Sequence, residues 1–307
     1  MNCDVLMKFI TDRYERDQYC HVLIDPLAVP GKSDHSIVEQ LTDALGVSAI
    51  TRVLRIDLPQ APRLHPILIC MASPTAPLSI PLLELTARAG LMDLQRRKRS
   101  VCGWLLSDSP GSVIAPHLTS ICQIPSDTGQ HDFIPVYEPV RLELFAAAFG
   151  QVDKGPWWPI KRWLLLTSGG APVSVTSREG PYHPVPAHAR KMQTDAGLIM
   201  ELLTVWRSMI SYPVTNPPLP LPQLAAVRAS EYIQQARKLG LSGLEDIQTL
   251  ALHLLCIHPR LHTHPDVLAM INTTVKTQRP LAALFAHYTD ANWRYVTTHL
   301  PVSESPL

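Results

Sequence analysis

Three imidazoles crowd into HPRLHTHPD, where His258, His262 and His264 precede a carboxylate, Asp266. Imidazole nitrogens beside a carboxylate are a possible ligand set for a transition metal. The helical His-Glu-x-x-His pattern, which puts both imidazoles on one helix face, is absent. Pro259 and Pro265 make the stretch a loop between helices. We read it as a polar inter-helix loop, with a metal-dependent enzyme as the alternative. A serine nucleophile needs a strand-to-helix elbow, whereas Ser168 in TSGGAP sits between two strand-like runs, at a hairpin turn. Neither the phosphate-cradling G-x-x-x-x-G-K-[ST] loop nor G-x-G-x-x-G occurs. Arg96, Arg97, Lys98 and Arg99 have the charge to meet phosphate. The cluster is isolated and has no interleaved aromatics, so it reads as a solvated cationic helix end. No cofactor is implied.

Two further stretches suit recognition better than catalysis. GPWWPIKRW brings Trp157, Trp158 and Trp163 together. Neighbours on a strand face opposite sides, so Trp157 or Trp158 is expected at an interface, where tryptophan is enriched. The competing reading has these rings cap the sheet core. In IPVYEPVRLELFAAAFG, residues 134–150, an apolar strand-like run hands over to a helix. Pro139 suits the first helical position. Glu138 puts an anion near the positive end of the helix. Tyr137 can pack its ring and use its hydroxyl at the sheet edge. Leu142, Phe145 and Phe149 form a packing face, and Arg141 extends from the first turn. One carboxylate without a partner acid or metal makes a poor active centre, so the joint reads as a recognition element. The candidate partner-binding residues are Tyr137, Glu138, Arg141, Trp157 and Trp158. No residue is assigned to catalysis or to a metal.

The elements that must position these residues follow from periodicity and punctuation. Strands are expected at 20–25, 50–58, 67–71, 101–106 and 132–137, and helices at 33–46, 81–99, 109–123 and 139–150. Pro116 should shorten or kink the third of these helices. Strands alternating with helices imply an α/β lobe with a mixed sheet. RWLLLT and APVSVTS read as a hairpin, and 187–210 as one long helix. NPPLPLPQ, 216–223, has four prolines and reads as an extended connector. Beyond it, four short helices make a small bundle, one of them opened by a Ser242/Glu245 capping box. The expected fold is thus an N-terminal mixed-sheet α/β lobe over 1–215 and a connector over 216–223. A helical lobe over 224–300 and a disordered tail over 301–307 complete it.

The 307 residues are 46% hydrophobic and 17% charged, with a formal net charge of +1. Such a chain can bury roughly three quarters of its unfolded surface. A near-neutral charge supplies no field to gather nucleic acid or an anionic membrane. The longest uncharged run carries Pro66, Pro74, Pro77 and Pro81, which break a membrane helix. The six cysteines show no C-x-x-C spacing, and the first residues do not read as a signal peptide. The expectation is a soluble protein of the reducing cytoplasm.

DFIPVYEPVRLELFAAAFG resembles the strand-helix signature of the bacterial type VI secretion effector adaptors, which reads approximately Phe-Arg-Phe-Tyr-Asp-Pro-Arg-Val-Leu. HVLID (21–25) resembles that family's opening strand ending in aspartate. GWLLSDSPGSVIAPHLTSI (103–121) resembles its Trp-containing strand and the following His-Leu-Arg helix. The segment from Ala236 to Val267 is similar to the helical lobe that often follows. The resemblance covers about 20–165 well and 222–295 more loosely. Its matching positions are Asp25, Trp104, His117, Leu118, Tyr137 and Pro139. The family aspartate is Glu138 here, and family arginines fall on Pro135, Val140 and Thr119, with Arg141 displaced by one place. The resemblance implies a cytoplasmic, non-enzymatic adaptor. Such an adaptor would hold a secreted toxic effector and assist its loading onto the valine-glycine repeat protein of the spike. A structural subunit of a larger complex is the remaining alternative.

Overall fold

The structure, a computed structural model, describes residues 2–28, 36–125, 131–150, 155–179, 184–211 and 220–300. The chain divides into two compact units between Ala196 and Gly197. This division falls earlier than the expected connector, of which 216–219 lie outside the described residues, as does the expected tail. The reason is local. The stretch 187–210 is two helices, α6 (Ala187–Thr194) and α7 (Ala196–Ser211), and Asp195 caps the first.

The N-terminal unit is an α/β fold around one six-stranded sheet of order β2-β3-β1-β4-β7-β8. These strands are β1 (Tyr19–Ile24), β2 (Ile50–Arg52), β3 (Ile67–Ala72), β4 (Val101–Ser107), β7 (Arg162–Leu166) and β8 (Pro172–Thr176). Every neighbouring pair is antiparallel, so the sheet is not mixed as expected. The alternation of strands and helices has a different cause. β3 and β4 both run against β1, hence parallel to each other, and α3 (Ile80–Met92) links them across it. This is a split βαβ unit with β1 inserted between the two parallel strands.

Helices cover both faces, which explains why all seven residues of β4 are buried. On one face α1 (Cys3–Thr11), α2 (Ile37–Leu45) and α3 bury Leu6, Ile10, Leu41 and Leu83 against Val22, Ile24, Ile69 and Trp104. On the other, α4 (Gly111–Ile121) and α5 (Pro139–Ala148) bury Leu118, Leu142 and Phe145 against Leu23, Leu68, Leu105 and Trp163. Ser36 and Glu39 form a capping box at α2. Pro116 sits inside α4, whose eleven residues remain one helix.

Three strand and helix expectations fail. The run 50–58 is a strand only as far as Arg52, and Arg55 turns inward. The helix expected over 81–99 stops at Met92, where a 3-10 turn swings Asp93 inward to accept from Ser100 N at 2.6 Å and Val101 N at 3.0 Å. Within 132–137 only Asp132 and Phe133 belong to a strand. They lie in β6 (His131–Phe133), which pairs with β5 (Gln123–Pro125) in a separate two-stranded sheet.

The C-terminal unit is helical, with α7, α8 (Ala225–Lys238), α9 (Leu244–Cys256), α10 (Pro265–Thr277), α11 (Leu281–Phe285) and α12 (Asp290–Thr298). The capping box expected at α9 does not form. Gly243 is its N-cap, and Asp246 instead accepts from Leu281 N at 2.8 Å, tying α11 to α9. A working capping box lies at α12, between Thr289 and Asn292. Among the described residues no helix is long and apolar enough to cross a membrane.

Candidate functional site

The entry to α5 gathers the polar side chains of the N-terminal unit. Pro139 takes the first helical position, as its fixed φ favours, and Glu138 is the N-cap. The preceding turn, Val136–Glu138, drops Tyr137 into the core with no exposed surface. Its hydroxyl accepts from Arg55 Nη1 at 3.1 Å. Arg55 is itself almost buried, and its fork grips Asp57 through Nε–Oδ1 at 2.9 Å and Nη2–Oδ2 at 2.5 Å. Burial opposes the Arg55 charge, but the bonds and charges of Asp57 and Tyr137 together outweigh it and raise the guanidinium pKa. The same bond holds the Asp57 carboxyl below its usual range. Burial, and then the Asp25 charge, push the Tyr137 hydroxyl upward.

Asp25 ends β1 beside this node. Its Oδ1 accepts from Leu27 N at 2.9 Å, while its buried Oδ2 has no hydrogen-bond partner among the described residues. Desolvation raises its pKa, the Leu27 amide opposes that, and the Glu138 charge adds to the rise. The thiols of Cys102 and Cys122 are pushed up by burial, Cys122 to about 12, so both stay protonated.

Glu138 makes no side-chain cap of its helix. Its carboxylate instead reaches Lys98 Nζ at 3.4 Å and Arg141 Nε at 3.2 Å. Arg141 Nη1 donates to Gln193 O at 3.1 Å, and Gln193 Nε2 donates back to Arg141 O at 2.9 Å. The pair clasps α6 to α5. Glu143, one turn further along α5, accepts from Ser168 N at 2.6 Å and Ser168 Oγ at 2.8 Å. Ser168 therefore holds the β7–β8 turn. Arg99 Nη1 reinforces the same place by donating to the carbonyls of Leu166 and Thr167 at 2.8 and 2.9 Å.

Tyr137, Glu138 and Arg141 are thus brought together, but all three are turned inward. Trp157 corrects the interface expectation most sharply. Its ring is 1% exposed and meets Phe145 and Trp163 edge-on at 5.7 and 6.3 Å between centroids. Trp157 and Tyr137 are core residues, because a turn rather than a strand carries one and the Arg55 bond sinks the other. Of the adjacent pair Trp158 alone faces out, at 38% exposure, into an open cleft of about 470 Å³.

The cationic run 96–99 also differs from expectation. Arg96 pairs with Asp93, Lys98 with Glu138, and Arg99 is buried, so three of the four brace the fold. The histidine loop is built as read. His264 Nδ1 accepts from Asp266 N at 3.3 Å and caps α10, and His258 Nδ1 accepts from Arg260 N at 3.1 Å. Among the described residues no group of three or more His, Cys, Asp or Glu side chains is placed to hold a metal.

Sequence reasoning missed Arg55, Asp57, Gln193 and Glu143. Arg55 was hidden inside an apparent strand. An acid on an apolar helix face, Glu143, was a legible signal, since a buried carboxylate needs donors. No protein-family model matches the chain, and no curated protein or solved structure matches it either.

Proposed function

We propose that this protein is a cytoplasmic, non-enzymatic adaptor that binds a toxic effector and assists its loading onto the valine-glycine repeat spike of a type VI secretion system. One observation carries the reading. The three N-terminal segments that resemble the adaptor family lie in one unit and in the family's order, and their matching residues build its centre. Asp25 ends β1, Trp104 lies in β4, His117 and Leu118 in α4, and Tyr137 and Pro139 open α5. Trp104 donates to Thr86 Oγ1 at 3.0 Å, fastening β4 to α3, and Tyr137 receives Arg55. In this reading the matching residues form a framework rather than a binding face. The chemistry of the node is in keeping with this, because Asp57 and Glu138 brace cations and the thiols are protonated.

The test is a tagged purification from the native bacterium with the secretion system expressed. Mass spectrometry should find a toxin-like protein and a spike protein in stoichiometric amounts. Purification without either protein overturns the reading. Retention of the chain in the isolated, assembled machine would instead make it a structural subunit.

A further inference from the structure

The sheet has two edges, and they differ. β2 is three residues long and ends in Arg52, which is how sheets blunt an edge. β8 is five residues, PVSVT, with no charge and two β-branched valines. The ladder to β7 shows which backbone groups it leaves over. Ser177 N donates to Lys161 O at 2.9 Å, and Thr167 N donates to Ala171 O at 2.8 Å. Counting inward from both ends, Val173 and Val175 spend their amides and carbonyls on β7. Ser174 and Thr176 therefore direct both N–H and C=O outward. Pro172 offers only its carbonyl.

The surroundings of that edge specify an occupant. Arg162 lies directly across from Thr176 on β7, and Arg178 follows two residues after Thr176. All three line one cleft, which Glu15 and Glu179 also border. Arg162 is engaged by Glu15 at 3.0 Å, and Lys161 by Asp108 at 2.6 Å. Exposed Arg178 has no such partner among the described residues. The same cleft holds the Trp158 indole, an apolar plate at the end of the edge. A second copy of β8 lying antiparallel would set Ser174 against Thr176 and Pro172 against Arg178. That arrangement leaves the cation unmatched.

We propose that the outer edge of β8 docks an extended, acidic segment of a partner protein. The segment adds a seventh strand on Ser174 and Thr176 and carries a carboxylate toward Arg178. Backbone pairing supplies the attachment, and the carboxylate and the Trp158 ring select the sequence. The inference is independent of the adaptor reading, since it concerns the chemistry of the segment and not the identity of its owner.

The test uses the full chain and two fluorescein-labelled peptides of alternating valine and threonine, one with a central glutamate and one with lysine there. Fluorescence anisotropy should rise saturably with the glutamate peptide and bind the lysine peptide more weakly. Ser174→Pro and Thr176→Pro each delete one outward N–H and leave the β7 ladder its donors. Each should weaken binding about fivefold. Arg178→Glu should reverse the preference between the peptides. It changes one exposed charge, so it carries the test if the proline variants melt early. Absence of saturable binding, binding indifferent to the proline variants, or an unreversed preference overturns the proposal. Self-association abolished by Thr176→Pro also overturns it, by making the occupant a second copy.

Discussion

Replacing Tyr137 by phenylalanine tests whether the α5 entry is held by one buried hydrogen bond. The ring stays, and only the hydroxyl that accepts from Arg55 is lost. A hydrogen bond to a charged group contributes about 1.5–3 kcal/mol. Arg55 keeps its two bonds to Asp57, so the lower end applies, about 1.5–2 kcal/mol. For a unit of this size that is a fall of about 3–8 °C in melting temperature. Urea unfolding followed by tryptophan fluorescence suits the measurement, because four of the six tryptophans, Trp104, Trp157, Trp158 and Trp163, lie in the N-terminal unit. A double-mutant cycle with Arg55→Met isolates the pair from the general cost of each change. The cycle should return a coupling near 1–2 kcal/mol. A coupling indistinguishable from zero, with both single variants destabilised, would refute the bond and leave Tyr137 as packing alone.

Three other outcomes follow from the same geometry. Trp157→Ala should cost about 3–5 kcal/mol, as for a buried aromatic, while Trp158→Ala leaves stability within about 0.5 kcal/mol; parallel urea curves decide. His21 is buried and its pKa is lowered from 6.5 to about 4 by desolvation. The folded state thus binds fewer protons, so its contribution is complete above the ordinary value and is lost as pH falls from 6.5 toward 4. About 3 kcal/mol should go over that window, and His21→Phe should flatten the slope of stability against pH. Asp25 has the opposite linkage, a raised pKa, so its buried carboxylate destabilises increasingly as pH rises above the ordinary carboxyl range. Asp25→Asn should raise the melting temperature at pH 8, with the gain vanishing near pH 3.

Much of the local structure was legible in the sequence. Alternation with the Ser168-Gly169-Gly170 turn placed the β7–β8 hairpin, and Pro139 marked the first residue of α5. The apolar period and Gly46 marked α2 and its end. These features depend on residues within about one helical turn or one strand pair, and their signals are local for that reason. The sequence also showed that the α/β and helical parts are distinct, although not where one ends. Only the tertiary structure decided the rest. Whether a polar residue serves a surface or a core depends on partners distant in the chain. Arg55 meets Tyr137 across 82 positions, and Arg99 meets the end of β7 across 67. A cationic run looks solvated until Asp93, Glu138 and two carbonyls are brought to it. Trp157 and Trp158 are the same residue type in the same stretch, and the turn that carries them sends one inward and the other to solvent. The strand direction, too, depended on β1 inserting between β3 and β4, a pairing choice set by burial of both sheet faces and invisible to periodicity.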